Sequence, residues 1–372
     1  MLTGALIMRR VGASLPLLPF LLVGLNLLGC RTPPLGRPAG GDFTAKGTDN
    51  LVLAAYSAPQ EAFHRGVIPA FQAYWLQKSG RGVVVEEHYE ASTTQAQKVV
   101  QGLEADVVAL SSEPDVAAIE NAGLITHDWK SAPLGGFVTT SVPIIGFRAG
   151  NPKQLSDWQD LTKPGVSIIC PDPRTSGMGQ WAVASIYGAG LRRSAARTGK
   201  PDPDSARDLL QRIAKNIVAM PASARDALTA FQEGKADALI TYEHEALLMR
   251  LEGKAFPFTI PTDVISMQNP AALVDRYVDR HGNRELAQAF VEFLGTEEAQ
   301  RAFAQFGFRP VKPELVTEFA GKYPKPAGLF DISYLGGWLE VYKTLLGPDG
   351  LWQQIAPRSP PRPTGEGACR LL

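Results

Sequence analysis

Residues 166–190, VSIICPDPRTSGMGQWAVASIYGAG, carry the choice of fold. The run VSIIC is short, apolar and rich in β-branched residues, which reads as a buried strand, while AVASIYGAG reads as a helix of small residues. Between them DPRTSGMGQW makes a strand-to-helix turn, the repeating unit of a largely parallel sheet. The Thr, Ser and two Gly of this turn leave two readings open. One is an ordinary turn with a Ser or Thr N-cap. The other is an anion seat, in which small residues let a ligand reach bare backbone N–H groups at a helix start.

The same alternation runs outward in both directions. Upstream, LVLAAYS (51–57), GVVVEEHY (82–89) and DVVALSS (106–112) are strands separated by helical patterns, one of which carries Phe63, Val67, Phe71 and Tyr74 at helical spacing. SVPIIGFRAGNP (141–152) reads as a strand leaving this first body, because the alternation restarts after it, and PFTIPTDVISMQNPAALVD (257–275) is extended and carries the chain back. Two crossings imply two lobes and a hinge, as a chain of 372 residues, long for a single core, leads one to expect. The expected division is lobe I over 49–140 and 270–356 with C-terminal helices, lobe II over 141–269, and a disordered tail over 357–372.

Charge excludes one class of partner. The 37 basic and 37 acidic residues balance, and no basic run with interleaved aromatics offers a surface for nucleic acid. At the N-terminus, Arg9 and Arg10 precede SLPLLPFLLVGLNLLGC (14–30), too short and too Pro-interrupted for a membrane span, which reads as an export signal. Its end, Leu27 to Cys30, matches the bacterial lipobox, so residues 1–29 are expected to be a lipoprotein signal peptide, Cys30 the lipidated residue and 30–48 a flexible tether. The protein is then expected outside the cytoplasm, periplasmic or extracytoplasmic, held to a membrane by lipid. Cys170 reads as a small buried hydrophobe, Cys369 lies in the tail, and no zinc-like spacing occurs.

The runs QGLEADVVAL (101–110), GNPKQLSDWQDLTKPGVSIICPDPRTSGMGQW (150–181), ALITYEHEALL (238–248) and FGFRPV (306–311) resemble the periplasmic sulfate- and thiosulfate-binding proteins of ABC importers, over about residues 50–355. The resemblance implies an α/β, two-lobed type II periplasmic-binding-protein fold with an oxyanion buried in the interlobe cleft. It implies no metal and no cofactor, a monomer, and delivery of the ligand to a membrane permease driven by an ATPase. Carried over one position at a time, it places anion-contacting residues at Ser92, Ser141, Ser176, Gly177 and Met178, puts Tyr242 where the family has a Trp, and puts a further contact at Arg225 or Asp226. The sequence departs from the pattern at Ser57, Thr93, Thr94, Met178 and Gln180, and most awkwardly at Asp226. A carboxylate facing a dianion costs energy unless the ligand carries a proton, so Asp226 either favours a protonated oxyanion or caps the helix DALTAFQEG and faces away. Sulfate is the expected ligand, with thiosulfate beside it. Phosphate, molybdate or tungstate, or a sensor lipoprotein without transport, are the alternatives.

An enzyme is the rival class. No GxSxG, HExxH or phosphate-binding lysine loop occurs, and the five His, at 64, 88, 127, 244 and 281, are scattered. YEHE (242–245) reads as solvated charge rather than a ligand set. The six Trp are expected in the core or at the lobe interface, with Trp181 one turn into the helix behind the anion seat.

Overall fold

The computed structural model describes residues 47–357; the expected signal peptide, Cys30, most of the expected tether and the tail from 358 lie outside the described residues. The first sheet holds β1 (Thr48–Tyr56), β2 (Gly82–Glu90), β3 (Val107–Ala109), β4 (Phe137–Ser141) and β11 (Met267–Leu273) in the order β2-β1-β3-β11-β4. β1 runs parallel to β2 and β3, and β11 lies antiparallel to β3 and β4. The second holds β5 (Pro143–Phe147), β6 (Ile168–Ile169), β7 (Ile217–Ala219), β8 (Ala238–Tyr242) and β9 (Phe258–Thr259) in the order β7-β6-β8-β5-β9. Strands with neighbours on both sides and helices on both faces are buried throughout, which is why β8 and the end of β1 read as unbroken apolar runs.

The chain leaves the first sheet at Ser141 and enters the second at Pro143, so the single strand expected over 141–152 is the junction of two. It returns through β10 (Asp263–Ile265), paired in parallel with β12 (Gly328–Phe330), and rejoins the first sheet at Met267 rather than at 270. Met267 pairs with Ser141, so the outgoing and returning segments lie side by side.

The Gly177–Thr198 helix is buried almost all round over its first half, and small residues let its neighbours close on it. A Cβ on Gly190 would lie 2.6 Å from Cα of Ala206 in the Pro203–Lys215 helix, and one on Gly188 would run into the Phe330 ring. Helices Arg284–Leu294 and Glu297–Gln305 do pack on the first half, through Phe290 against Phe71 (4.8 Å) and Phe303 against Phe63 (5.3 Å). The segment from Gly328 onward instead covers the Gly177–Thr198 helix of the second half, with Trp338 edge-on to Trp181 at 4.5 Å. A helix apolar on so many sides needs this third cover. Among the described residues no helix is long and apolar enough to cross a membrane.

Candidate functional site

Strand ends and helix starts from both sheets meet between the halves, the usual ligand position in open α/β sheets. From the second half comes the start of the Gly177–Thr198 helix. Its N-cap Ser176 is extended, and the hydroxyl makes no bond to its own helix. The first backbone bond there runs from Gln180 N to Ser176 O (3.2 Å), so the amides of Gly177, Met178 and Gly179 precede any intrahelical acceptor. The two glycines have different work. A Cβ on Gly177 would lie 2.5 Å from Cβ and Oγ of Ser111 and 3.4 Å from Cβ of Ser92, both on the opposite half; one on Gly179 would strike the backbone of the helix's own preceding turn at Pro171 to Pro173.

From the first half comes Ser92, first residue of the Ser92–Val100 helix. Its hydroxyl donates to Oδ2 of Asp115 (2.5 Å) and accepts from Ser111 N (2.9 Å). Thr93 Oγ1 donates to Asp115 Oδ1 (2.8 Å) and accepts from Gln180 Nε2 (3.0 Å), while Thr93 N donates to Thr175 O (3.1 Å). Ser112 Oγ stands 3.1 Å from both Asp115 Oδ2 and Gln180 Oε1. Two departures from the family pattern, Thr93 and Gln180, thus form a neutral bridge from one half to the other. Burial raises the Asp115 pKa, and the hydroxyls of Ser92, Thr93 and Ser112 pull against that rise.

Tyr242, the last residue of β8, puts Oη 2.6 Å from Ser111 Oγ. Its ring stacks on His244 (4.5 Å), which stacks on Phe308 (3.9 Å), and His244 Nδ1 lies 3.1 Å from Ser141 Oγ. Burial, and then Arg225, depress the His244 pKa well below the usual imidazole value, so the ring is neutral. Ser141 therefore sits at the crossing with its hydroxyl against His244, one ring behind Tyr242.

Arg225 is held by carboxylates. Its Nη atoms donate to Glu61 of the other half (2.9 and 2.8 Å), and its Nε lies 3.4 Å from Oε1 of the buried Glu245. Of the two readings of Asp226, its contacts fit the helix cap. It is exposed, and it sits in the first turn of the Ala224–Gln232 helix, where N-cap Ser223 accepts from Asp226 N (3.0 Å) and donates to its Oδ2 (2.8 Å). The reading of YEHE as solvated charge is corrected: Glu243, His244 and Glu245 are all buried, because their helix starts at the junction of both halves. Glu243 is neutralised by Arg309 (2.6 and 2.9 Å). Among the described residues no cluster of His, Cys, Asp or Glu could hold a metal ion, and burial pushes the Cys170 thiol up to about 12.

Burial lifts the Glu245 carboxyl to about 7, with Arg225 opposing. A folded-state pKa above the unfolded value near 4.5 means that the native state holds the extra proton, so this group's stabilisation is complete below 4.5 and is lost as pH rises through about 7. Glu245→Gln is expected to raise the melting temperature at about pH 8 by several degrees and to change little at about pH 5. An equal rise at both would contradict this account.

Sequence reasoning missed Ser111 and Asp115. Ser111 is fully buried, its carbonyl accepts from Trp181 Nε1 (2.8 Å) and Asn269 Nδ2 (2.9 Å), and its side chain meets Tyr242. Its place just beyond a strand end, in DVVALSS, was the available signal. The structure sets Ser92, Gly177 and Tyr242 against Ser111, with Ser176 and Met178 flanking Gly177 in the chain; Ser141 bonds His244, Arg225 bonds Glu61, and Asp226 is exposed.

Two mixed sheets joined by adjacent crossings, with buried helix starts facing each other between them, define a solute-binding protein of the type II periplasmic fold. The chain belongs to the bacterial extracellular solute-binding proteins, whose family model matches residues 51–309. It is 40% identical over 307 residues to a sulfate-binding protein of Synechococcus elongatus, covering 82% of this chain and 86% of that one. It is 31% identical over 325 residues to a thiosulfate-binding protein of Pseudomonas aeruginosa, covering 86% and 95%. Among solved structures it resembles the sulfate-binding protein SubI of Mycobacterium tuberculosis, with a TM-score of 0.72 and 36% identity over 79% of this chain and 98% of that one. Membership of this family makes the chain a binding component of transport and not an enzyme.

Proposed function

We propose that this protein captures a tetrahedral sulfur oxyanion, sulfate first and thiosulfate beside it, between its halves and delivers it to an ABC permease and ATPase complex, working as a monomer tied to the membrane through a lipid on Cys30. The observation that carries the reading is the set of donors without acceptors: the amides of Gly177, Met178 and Gly179 and the hydroxyl of Ser176, all at the positive end of a buried helix. A fully ionised oxyanion has only acceptors, and donors fixed in a desolvated site hold it without a metal or a free cation. Arg225 is already paired with Glu61, so local amides and hydroxyls are left to do the binding. The curated relatives at 31–40% identity, which bind sulfate or thiosulfate by name, support the same ligand class.

The exposure of Asp226 removes the acceptor that would favour a protonated ligand. Calorimetric titration with sulfate, thiosulfate, phosphate and molybdate, between about pH 6 and about pH 8, tests this. Sulfate or thiosulfate is expected to bind more tightly than phosphate at every pH. Tighter binding of phosphate that tracks its protonation would overturn the reading.

A further inference from the structure

Resting on that reading of the site, we propose that Ser111 is a ligand-contacting residue, and that its hydroxyl and the phenol of Tyr242 act as one hydrogen-bond donor assembled when the two halves meet. Ser92 lies in the site, but its hydroxyl hydrogen is spent on Asp115 and its oxygen accepts from Ser111 N. The hydroxyls of Thr93 and Ser112 are likewise engaged with Asp115 and Gln180. None of the three has a hydrogen to spare for an anion. Ser111 Oγ and Tyr242 Oη stand 2.6 Å apart, and of their two hydrogens one closes the bond between them and one is left over.

The leftover hydrogen falls to Ser111 for a geometric reason. The Ser111 side chain packs directly on Gly177, where a Cβ would come within 2.5 Å of it, and so stands beside the unpaired amides of the Gly177–Thr198 helix. Its backbone is fixed from three sides: the N–H on Ser92, and the carbonyl on Trp181 and Asn269. With Tyr242 donating to Ser111 Oγ, the serine hydrogen is free to go to a ligand oxygen. Burial raises the Tyr242 pKa, so the phenol keeps its proton and remains a donor. Ser111 belongs to the first half and Tyr242 to the second, so the unit is complete only in the closed protein. Tyr242 is then a positioning residue, and Ser111 makes the contact.

The test is a double-mutant cycle by calorimetry with sulfate as the probe, on wild type, Ser111→Ala, Tyr242→Phe and the pair, with unliganded melting temperatures measured in parallel. Ser111→Ala is expected to weaken binding by roughly 10- to 100-fold and Tyr242→Phe by a few-fold; the pair should be no weaker than Ser111→Ala alone, because without the serine the phenol has nothing to orient. Ser111→Cys, close in shape and a poor donor, should show nearly the Ser111→Ala loss with an unchanged melting temperature, which a purely structural role would not produce. Binding of Ser111→Ala within about twofold of a sulfate-binding wild type, or single losses that multiply in the pair, overturns this assignment and leaves the proposed function standing. A wild type that takes up neither sulfate nor thiosulfate overturns the function and this assignment with it.

Discussion

Gly177→Asp is expected to abolish oxyanion binding while leaving a folded protein. The new Cβ alone would come within 2.5 Å of the Ser111 side chain on the opposite half, so the halves cannot reach the closed arrangement. The carboxylate beyond it would stand at a helix start, which by itself it tolerates well, in the place where an incoming anion needs the amides. Steric exclusion and like-charge repulsion add, and a loss of at least about 10³-fold, some 4 kcal/mol, is the expected size. Because the obstruction lies between the halves and not inside either core, the unliganded melting temperature should fall little. The measurement is calorimetry with sulfate, paired with small-angle scattering to show that the variant stays open when sulfate is added. Binding within about tenfold of wild type would remove Gly177 from the site.

Asp115→Ala is the second large effect, and it acts on stability and binding together. The carboxylate is fully buried at the start of the Glu113–Asn121 helix and receives the hydroxyls of Ser92 and Thr93, with Ser112 alongside. Removing it strands buried hydroxyls and leaves a small void, worth roughly 2–4 kcal/mol on unfolding. It also lets the Ser92 hydroxyl swing off Ser111 N and disconnects Thr93 and Ser112, which reach the other half through Gln180, so the closed arrangement loses more than the freed hydroxyls return. Sulfate affinity is expected to drop by about 10- to 100-fold. Asp115→Asn keeps an acceptor on one side and should lie between wild type and Asp115→Ala in urea unfolding. An Asp115→Ala protein as stable as wild type would mean that these hydroxyls find other partners without cost.

Much of this was legible in the chain because local signals agreed with the global fold. The strand-turn-helix at 166–190, the two extended crossings and the small residues of TSGMG all announce themselves through periodicity and turn chemistry. The readings that failed concern partners far away in sequence. Nothing near Glu245 says that Arg225, with Glu61 from the other half, will cover it. YEHE looks solvated because its residues are charged; it is buried because Arg309, Phe308 and Arg225 arrive from elsewhere. The closing of the C-terminal segment on Gly188 is hidden for the same reason, since that glycine lies more than a hundred residues upstream. Ser111 carries no motif, and its role follows from what converges on it.

The pairing of Met267 with Ser141 also limits how the molecule can move. Two adjacent strands joined by ladder bonds keep those bonds when both bend together, but sliding one past the other would break the register. Sliding one crossing segment past the other is therefore disfavoured against a bend of both together. A bend that keeps this register brings Ser111 and Tyr242 back into the same facing position.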